Sequence, residues 1–419
     1  MITTKEILIR AKAAKDSMSE LSAEDIRKAL LAIADELDAS HGDILAANAE
    51  DCRAAEGIIS SVMIDRLRLS EARLTDMAQG VRSIATLPCP VGRILESKER
   101  PNGLRIDKVA VPIGVIAIIY ESRPNVTSDA AALAIGSGNA VVLRSGKEAY
   151  RSAAAIVRAI RRALRSSALP EDAVALIEDT TRQSSVDLME AVGFVDMLIP
   201  RGGAGLIRAC VERSKVPVLE TGTGICHIYA DREADIEVAL SVINNAKTSR
   251  PSVCNACEVV LVHKDIASEL LPRMKQILVE ERTSGGKVPV ELRLCPRALE
   301  IIDGTPASDE DFDTEFLDYK LGVRVVDGAD EAIEHIRLHS THHSEAIITK
   351  NCAVAERFMA KVDSACVYHN ASTRFTDGGE FGLGCEMGIA TCKVHARGPL
   401  GLSELTTYKY KIYGEGQIR

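Results

Sequence analysis

The sequence has no surplus of positive charge. Its 51 lysine and arginine residues are outnumbered by 60 aspartate and glutamate residues, which gives a formal net charge of −9. Nucleic acids and anionic membranes are bound by basic surfaces, so this balance argues against both kinds of partner. A small anionic substrate would instead need a local basic pocket.

Long hydrophobic runs are also missing. Residues 109–120 form the longest apolar stretch, and Pro112 and Gly114 interrupt it. A helix that crosses a bilayer needs about 20 consecutive apolar residues, so this stretch is too short. The first residues lead directly into a charged helical pattern without the apolar core of a signal peptide. We therefore expect a soluble, cytoplasmic protein.

Paired C-x-x-C sets are absent, although the chain contains 11 cysteines. Scattered cysteines in an odd number favour reduced thiols over a disulfide framework or a zinc cluster. One C-x-x-C pair, Cys254 and Cys257, is too little to indicate a redox disulfide. The histidine-rich segment 339–345 does not match a helical zinc pair such as H-E-x-x-H, so we expect no metal site.

The dinucleotide-binding fingerprint G-x-G-x-x-G is missing as well. The nearest match, residues 222–226, lacks the third glycine and continues into an apolar segment. We therefore do not interpret this segment as the phosphate-binding turn of that motif.

What the sequence does contain is an α/β pattern. Residues 3–86 are rich in good helix formers, and their periodicity predicts the helices 5–14, 23–39, 42–55 and 71–86. Around residues 100–104 an Asn-Gly turn signal predicts a projecting hairpin, and residues 405–413 read as a last strand. An exposed edge strand needs a partner, so we expect a dimer or a larger homo-oligomer.

Apolar strand candidates then alternate with helices, which predicts a parallel sheet with crossover helices. The candidates are Ile113–Ile119, Ala140–Leu143, Ala173–Ile177, Val195–Ile199 and Val216–Leu219. Ligands bind beyond the carboxyl ends of such strands. The segments 120–125, 144–148 and 200–205 are therefore candidate binding loops, although the glycine-rich turn at 201–205 alone is also typical of simple helix capping.

The segment 249–257 is interpreted as an active-site loop. It lies between an amphipathic helical pattern, which Pro251 ends, and the apolar run 259–262. A thiol on such a turn can face a cleft, and Arg250 would favour the reactive thiolate of Cys254. Cys257 lies closer to the strand, where packing is expected. Because free cysteine is among the most buried residue types, a structural role for Cys254 stays open from these residues alone.

Five segments along the chain carry a further signal. They are Ile44–Asn48, Tyr120–Thr127, Asn245–Asn255, Asn370–Gly379 and His395–Pro399. Together they resemble the gamma-glutamyl phosphate reductase family of the aldehyde dehydrogenase superfamily, and the resemblance runs nearly end to end. It implies an aldehyde dehydrogenase-like α/β fold. The implied parts are a parallel-sheet cofactor-binding domain (1–98 and 112–230), a second α/β catalytic domain (231–397) and a small β oligomerisation arm (99–111 and 398–419).

The resemblance also implies a reaction, the NADPH-dependent reduction of L-glutamyl 5-phosphate to L-glutamate 5-semialdehyde in proline biosynthesis. Phosphate leaves, and Cys254 carries a thioester while Asn125 stabilises the oxyanion. The implied cofactor-binding residues are Ser145, Lys147, Arg201, Gly202 and Gly203. The implied substrate-binding residues are Arg123, Arg250 and Arg374, although Arg374 could also be a merely exposed side chain.

Two other functions stay open at this point. A hydrolytic aldehyde dehydrogenase would use Glu220 as the base that activates water, but the residues after Glu220 depart from the hydrolytic pattern. A scaffold protein without catalysis would not need Cys254, Asn125 and Lys147 together. Nothing resembles an amino-acid kinase domain, so we expect a separate glutamate 5-kinase as the partner that supplies the substrate.

Overall fold

The structure of the chain, a computed structural model, describes residues 2–59 and 61–419. The chain divides into two compact units. The first unit runs to Thr221 and also includes Gly382–Gly388 and Val394–Arg419, and the second contains Gly222–Phe381 and Ile389–Lys393. The division at Thr221 differs from the expected boundary at residue 230, because residues 226–230 form a strand inside the sheet of the second unit.

Helices dominate the first part of unit 1. They are α1 Thr4–Ser17, α2 Ala23–Ala39, α3 His41–Ala55, α4 Ser61–Leu67, α5 Glu71–Thr86, α6 Asn125–Gly136, α7 Tyr150–Arg165, α8 Arg182–Met189 and α9 Ala204–Arg213. The predicted bounds of α2 and α5 are confirmed, since Ser22 caps α2 in a capping box with Asp25 and Ser70 caps α5. The short helix α4 was not predicted.

Unit 1 contains the strands of two sheets and the short strand β15 (Gly398–Pro399), which belongs to neither of them. The strands are β1 Ile94–Glu99, β2 Arg105–Pro112, β3 Val115–Tyr120, β4 Ala140–Ser145, β5 Val174–Leu176, β6 Met197–Arg201 and, near the end of the chain, β15 Gly398–Pro399 and β16 Thr406–Tyr413. The parallel sheet has the order β5-β4-β3-β6. Its two central strands, β3 and β4, are buried at every position, as the continuous apolar runs predicted.

The prediction of a fifth strand in this sheet, Val216–Leu219, is wrong. Only Val218 forms an isolated parallel bridge, to Leu198 of β6. The Pro217 carbonyl accepts a hydrogen bond from the Leu198 N–H at 2.8 Å, but proline has no N–H with which to continue a ladder. The sheet therefore has four strands instead of five.

The predicted hairpin and last strand form the second sheet of unit 1, which we call the arm sheet. Its order is β1-β2-β16, and both neighbouring pairs are antiparallel. Arg100 and Leu104 close the turn with an N–H to carbonyl bond of 2.8 Å, and Gly103 takes the left-handed conformation with φ 86°. The Asn-Gly signal is thus confirmed as a turn.

Unit 2 is a second α/β layer structure. Its helices are α10 Ile236–Thr248, α11 Lys264–Lys275, α12 Glu281–Ser284, α13 Pro296–Leu299, α14 Ala329–His339 and α15 Cys352–Lys361. Its strands are β7 Cys226–Ala230, β8 Cys257–His263, β9 Glu291–Leu294, β10 Thr305–Pro306, β11 Lys320–Val326, β12 Ser344–Ile348, β13 Cys366–His369 and β14 Ile389–Ala390. Strands β7–β13 form one parallel sheet of order β10-β9-β11-β8-β7-β12-β13, in which β7 and β8 are fully buried.

None of the helices within residues 2–59 and 61–419 is both long and apolar enough to cross a membrane.

Candidate active site

The segment 249–256 connects α10 to β8 in unit 2, as the sequence predicted. Helix α10 ends at Thr248, and the Ala256 N–H donates to the Val253 carbonyl at 3.1 Å, which closes a turn around Cys254. The side chain of Cys254 is half-buried, whereas the neighbouring Asn255 is buried. The turn therefore holds the thiol at a position that solvent can reach.

Two further thiols lie beside this turn and are fully buried. Cys226 of β7 pairs in register with Cys257 of β8, and the Cys226 Sγ donates to the Cys254 carbonyl at 3.1 Å. Burial raises the pKa of Cys226 and the pKa of Cys257 well above the ordinary value of a thiol. Because the thiolate is the reactive form, neither buried cysteine is suited to nucleophilic attack. Cys254 is the accessible thiol of the three.

Arg374 contacts the cysteine turn directly. Its Nη1 donates to the Asn255 Oδ1, and its Nε donates to the Ser249 Oγ at 3.2 Å. The Asn255 Nδ2 in turn donates to the carbonyl of Thr376 at 2.9 Å. The glycine-rich segment that contains Arg374 is thus joined to the turn by side-chain hydrogen bonds.

Two arginines, Arg250 and Arg374, carry positive charge near the Cys254 thiol. Burial lowers the pKa of the Arg374 guanidinium, which also interacts electrostatically with Arg250 and with Cys254. Arg250 itself is exposed at the start of the turn. The structure therefore brings together three of the predicted residues in unit 2, the nucleophile candidate and two arginines, and places positive charge beside the thiol.

Gly224 is a site residue that the sequence analysis did not identify. A Cβ added at this position would lie 1.5 Å from the Cys254 carbonyl oxygen, so no side chain can be accommodated. The Gly224 N–H donates to the Glu315 Oε1 at 2.8 Å. The segment that lacks the dinucleotide fingerprint therefore packs its glycine against the backbone of Cys254. In the sequence, the only indication of this role was the close spacing of the two glycines, Gly222 and Gly224.

In unit 1, the predicted cofactor loops meet at one edge of the parallel sheet. Tyr120 at the end of β3 is in register with Ser145 of β4 on one side and with Arg201 of β6 on the other. The strand order reverses between β3 and β6, which is where open α/β sheets bind ligands. Two buried polar atoms there, Ser145 Oγ and Arg201 Nε, have no hydrogen-bond partner within the described part of the chain.

The glycine turn after β6 opens helix α9. Gly203 is the N-cap residue, and its N–H donates to the Glu121 Oε2 at 3.0 Å. A Cβ added at Gly202 would lie 2.4 Å from the same oxygen. A carboxylate of the chain itself thus occupies the end of a helix where an anion is favoured. Lys147 lies at the start of the 3-10 turn Lys147–Ala149 and is exposed.

Glu148 lies in the predicted binding loop 144–148, but the sequence analysis assigned it no role. Its Oε1 accepts hydrogen bonds from the Ser122 N–H at 2.9 Å and from the Ser122 Oγ at 2.6 Å. Ser122 has a φ of 42°, in the left-handed region that is uncommon for serine. Glu148 therefore stabilises a strained backbone conformation in the loop that follows β3.

Asn125 and Arg123 lie in unit 1, in the loop before α6. Asn125 is the first residue of that helix and is exposed, and its Nδ2 donates to the Asp129 Oδ2 at 3.1 Å. Burial raises the pKa of Asp129 to about 6, and the bond from Asn125 opposes this shift. Arg123 is half-buried. The amide of Asn125 is thus held by a single acidic neighbour.

The histidines near residue 340 pack with one another. His335 lies with its ring 4.3 Å from His339, 5.4 Å from His227 and 5.2 Å from Phe312, measured between ring centroids. Burial lowers the pKa of His335 to about 2, so the ring is neutral. Across residues 2–59 and 61–419 no group of three or more His, Cys, Asp or Glu side chains is placed to hold a metal ion.

Comparison with known proteins identifies the family to which the chain belongs. Residues 3–290 match the aldehyde dehydrogenase family. Gamma-glutamyl phosphate reductases of Neisseria meningitidis and Streptococcus pneumoniae are each 57% identical over 100% of both chains. The crystal structure of gamma-glutamyl phosphate reductase from Thermotoga maritima is 45% identical, has a TM-score of 0.94 and covers 100% of both chains. An acetylating aldehyde dehydrogenase from Geobacillus thermoglucosidasius is 20% identical, with a TM-score of 0.72 over 99% of this chain and 97% of its own, and shares the fold.

Proposed function

Because the chain belongs to the gamma-glutamyl phosphate reductases of the aldehyde dehydrogenase family, we propose that it reduces L-glutamyl 5-phosphate to L-glutamate 5-semialdehyde with release of phosphate, in the second step of proline biosynthesis. Enzymes of this family use a nicotinamide cofactor, and we propose NADPH. The observation that carries the proposal is Cys254, a half-exposed thiol beside two arginines, whereas the nearby Cys226 and Cys257 are fully buried.

Cys254 performs the covalent step. Its sulfur, as thiolate, attacks the acyl carbon of the substrate and forms a carbon–sulfur bond. The bond from that carbon to the phosphate oxygen breaks, and phosphate leaves with the electron pair. A thioester on Cys254 results, which divides one difficult displacement into two easier ones. When bound, NADPH supplies the hydride that converts the thioester to the aldehyde and frees the thiolate.

Arg250 and Arg374 bind the anionic groups of the substrate. Guanidinium groups make forked hydrogen bonds to carboxylate and phosphate, and Arg374 is in addition partly desolvated, which strengthens its interaction with an anion. We assign the same role to Arg123 in unit 1. Asn125 and the backbone N–H of Cys254 donate to the oxyanion that develops during attack, a contribution of about 3 kcal/mol for one donor in comparable sites.

The cofactor-binding residues are those at the edge of the parallel sheet in unit 1. Ser145 and Arg201 offer polar atoms that have no hydrogen-bond partner among the described residues, so they fit a polar ligand. Lys147 is exposed and free to contact a ribose or its phosphate. Gly202 and Gly203 allow close approach to the start of α9, once the Glu121 carboxylate gives up its bond to Gly203. Unit 1 is thus the cofactor-binding part of our proposal, and unit 2 is the catalytic part.

Three further parts of the proposal concern the surroundings of the enzyme. A separate glutamate 5-kinase supplies the acyl phosphate. The chain forms a homo-oligomer, a dimer or a tetramer, through the arm sheet. It works in the cytoplasm, a location supported by its eleven cysteines, which form no disulfide within the described residues.

The reverse reaction tests this function directly. Purified protein, L-glutamate 5-semialdehyde and NADP are mixed with and without phosphate, and NADPH absorbance is followed. We expect formation of NADPH only when phosphate or arsenate is present. Equal rates without either anion would overturn the phosphate-linked reaction in favour of hydrolysis. Glu220→Gln separates the same alternatives, because a base that activates water contributes roughly 10²- to 10⁴-fold, whereas we expect the phosphate-dependent rate to stay within about tenfold of the parent.

A further inference from the structure

Unit 2 contains a buried ion pair that the proposed reaction does not use. The Lys247 Nζ lies 2.5 Å from the Glu258 Oε2, and both side chains have an exposed fraction of 0%. Burial raises the pKa of Glu258 above its ordinary value, and the Lys247 ammonium beside the carboxylate opposes this shift. Buried ion pairs are costly to desolvate and give little net stability, so stability alone is a weak reason to place one here.

The position of the pair in the chain is informative. Lys247 lies in the last turn of α10, and Glu258 is the second residue of β8. The segment between these two elements is the turn that holds Cys254. The ion pair therefore joins the two ends of the nucleophile-bearing loop by a short bond that solvent does not weaken.

The second oxygen of Glu258 extends this contact to another segment. Its Oε1 accepts a hydrogen bond from the Leu317 N–H at 3.2 Å, and Leu317 has a φ of 52°, in the left-handed region. Two residues earlier, Glu315 accepts the N–H of Gly224. Gly224 packs against the Cys254 carbonyl, as described above. Glu258 thus holds both the strand after Cys254 and the segment that supports the glycine beneath it.

We propose that Lys247 and Glu258 are positioning residues that fix the loop of Cys254 in the orientation needed for attack. The inference rests on the proposed role of Cys254 as nucleophile. Lys247 and Glu258 are not themselves assigned to substrate binding, and loosening the pair displaces the sulfur together with the rest of the loop, which includes Arg250. Its removal therefore lowers kcat and the intrinsic reactivity of Cys254, and the loss in kcat exceeds the change in KM. A misplacement of about 1 Å can cost about 10²-fold in rate.

The decisive variant replaces both partners, Lys247→Met with Glu258→Leu. An apolar pair of similar volume is often tolerated in place of a buried ion pair, so we expect a folded protein with little change in Tm. It no longer offers an acceptor to Leu317. We expect kcat to fall at least 30-fold with KM within threefold. Lys264→Met, an exposed lysine just beyond the other end of β8, is the matched control and should retain the parent kcat.

A second readout does not depend on the reaction. The rate at which iodoacetamide alkylates Cys254, followed by peptide mass spectrometry, should fall at least tenfold in the double variant. If the parent lacks phosphate-dependent turnover, the proposed function fails, whatever the alkylation rates are. If the parent is active and the folded double variant matches it in kcat and in alkylation, the positioning role is overturned.

Glu258→Gln decides the matter if the double variant does not fold. It keeps the shape and an acceptor oxygen but removes the charge, and a neutral acceptor holds the ammonium about half as strongly as a carboxylate. We expect kcat to fall at least tenfold with KM within threefold. A kcat equal to that of the parent in folded Glu258→Gln would contradict the inference.

Discussion

At the scale of residues, the three thiols beside the start of β8 differ in the access of water. Cys226 and Cys257 are fully buried and have raised pKa values, whereas Cys254 is half-exposed next to Arg374. The chemical type of the residue is the same in each case. Its burial and its charged neighbours decide which one can react.

The first prediction follows from this difference. Cys254→Ala should abolish turnover and leave NADPH binding intact, because the cofactor contacts are assigned to unit 1. Cys257→Ala should remain active, although loss of a buried sulfur costs about 1 kcal/mol of stability. Steady-state kinetics and the NADPH fluorescence change on binding are the measurements. Activity in Cys254→Ala, or its loss only in Cys257→Ala, would show that the nucleophile is misassigned.

Arg374 gives a second prediction at this scale. Arg374→Ala should raise KM for the anionic substrate at least tenfold, because a half-buried guanidinium bonds an anion through two donors. Arg374→Lys should restore little, since an ammonium cannot copy the fork. Arg357→Ala, which removes an exposed arginine from α15, is the control and should behave as the parent. Unchanged KM in both Arg374 variants would return this side chain to a structural role in the turn.

His335 gives a prediction about pH. Its folded pKa of about 2 lies far below the ordinary value of 6.5. Below pH 6.5 the unfolded chain therefore binds a proton that the folded chain excludes, so the free energy of unfolding falls as the pH falls. The decrease is about 1.4 kcal/mol per pH unit. Urea unfolding at pH 7.5 and pH 5 should show a smaller decrease for His335→Leu than for the parent, and equal decreases would contradict the assignment.

At the scale of elements, the sequence predicted helices and strands well where the residues of a single segment determine its secondary structure. Capping residues and periodicity gave α2 and α5 their bounds, and the continuous apolar runs indicated buried parallel strands. The prediction of a strand at Val216–Leu219 was wrong because Pro217 limits the hydrogen-bond ladder. The apolar pattern of the segment does not show this effect.

The missed site residues depend on contacts between distant segments. Gly224 must be glycine because the Cys254 carbonyl lies against it. Glu258 reads as a charged interruption of an apolar strand until Lys247 is found beside it. Glu121 is one acidic residue among many until the Gly203 N–H reaches it. No pattern within a single segment carries this information.

The close approach of Gly224 predicts a large effect from a small substitution. Gly224→Ala places a methyl group where the Cys254 carbonyl now lies, so the turn has to shift and kcat should fall about 10²-fold. Gly80→Ala in α5 is the matched control, because that position is open and alanine favours a helix by about 1 kcal/mol. Kinetics and thermal unfolding of both variants test this. Parent-like kcat in Gly224→Ala would mean that the turn tolerates displacement.

At the scale of the whole molecule, the arm sheet ends in exposed apolar side chains on β16, among them Tyr408, Tyr410 and Ile412. Such a strand edge and face favour a second copy of the chain. The double variant Tyr410→Glu with Ile412→Lys should lower the molar mass in solution, measured by light scattering. Val288→Lys, an exposed apolar position outside the arm sheet, should not. A parent that is already monomeric, or an unchanged mass in the arm variant, would remove the arm from the interface.

The pairing within the arm sheet also bears on how the protein is made. Strand β2 lies between β1, which precedes it directly, and β16, whose Tyr413 pairs with Arg105. During translation β1 and β2 leave the ribosome long before β16, which is the last strand in chain order. One edge of β2 therefore remains unpaired while the ribosome synthesises the entire second unit. A nascent chain in that state exposes a template for strand addition, and ribosome stalling before residue 406 should make it a client of chaperones that cover such edges.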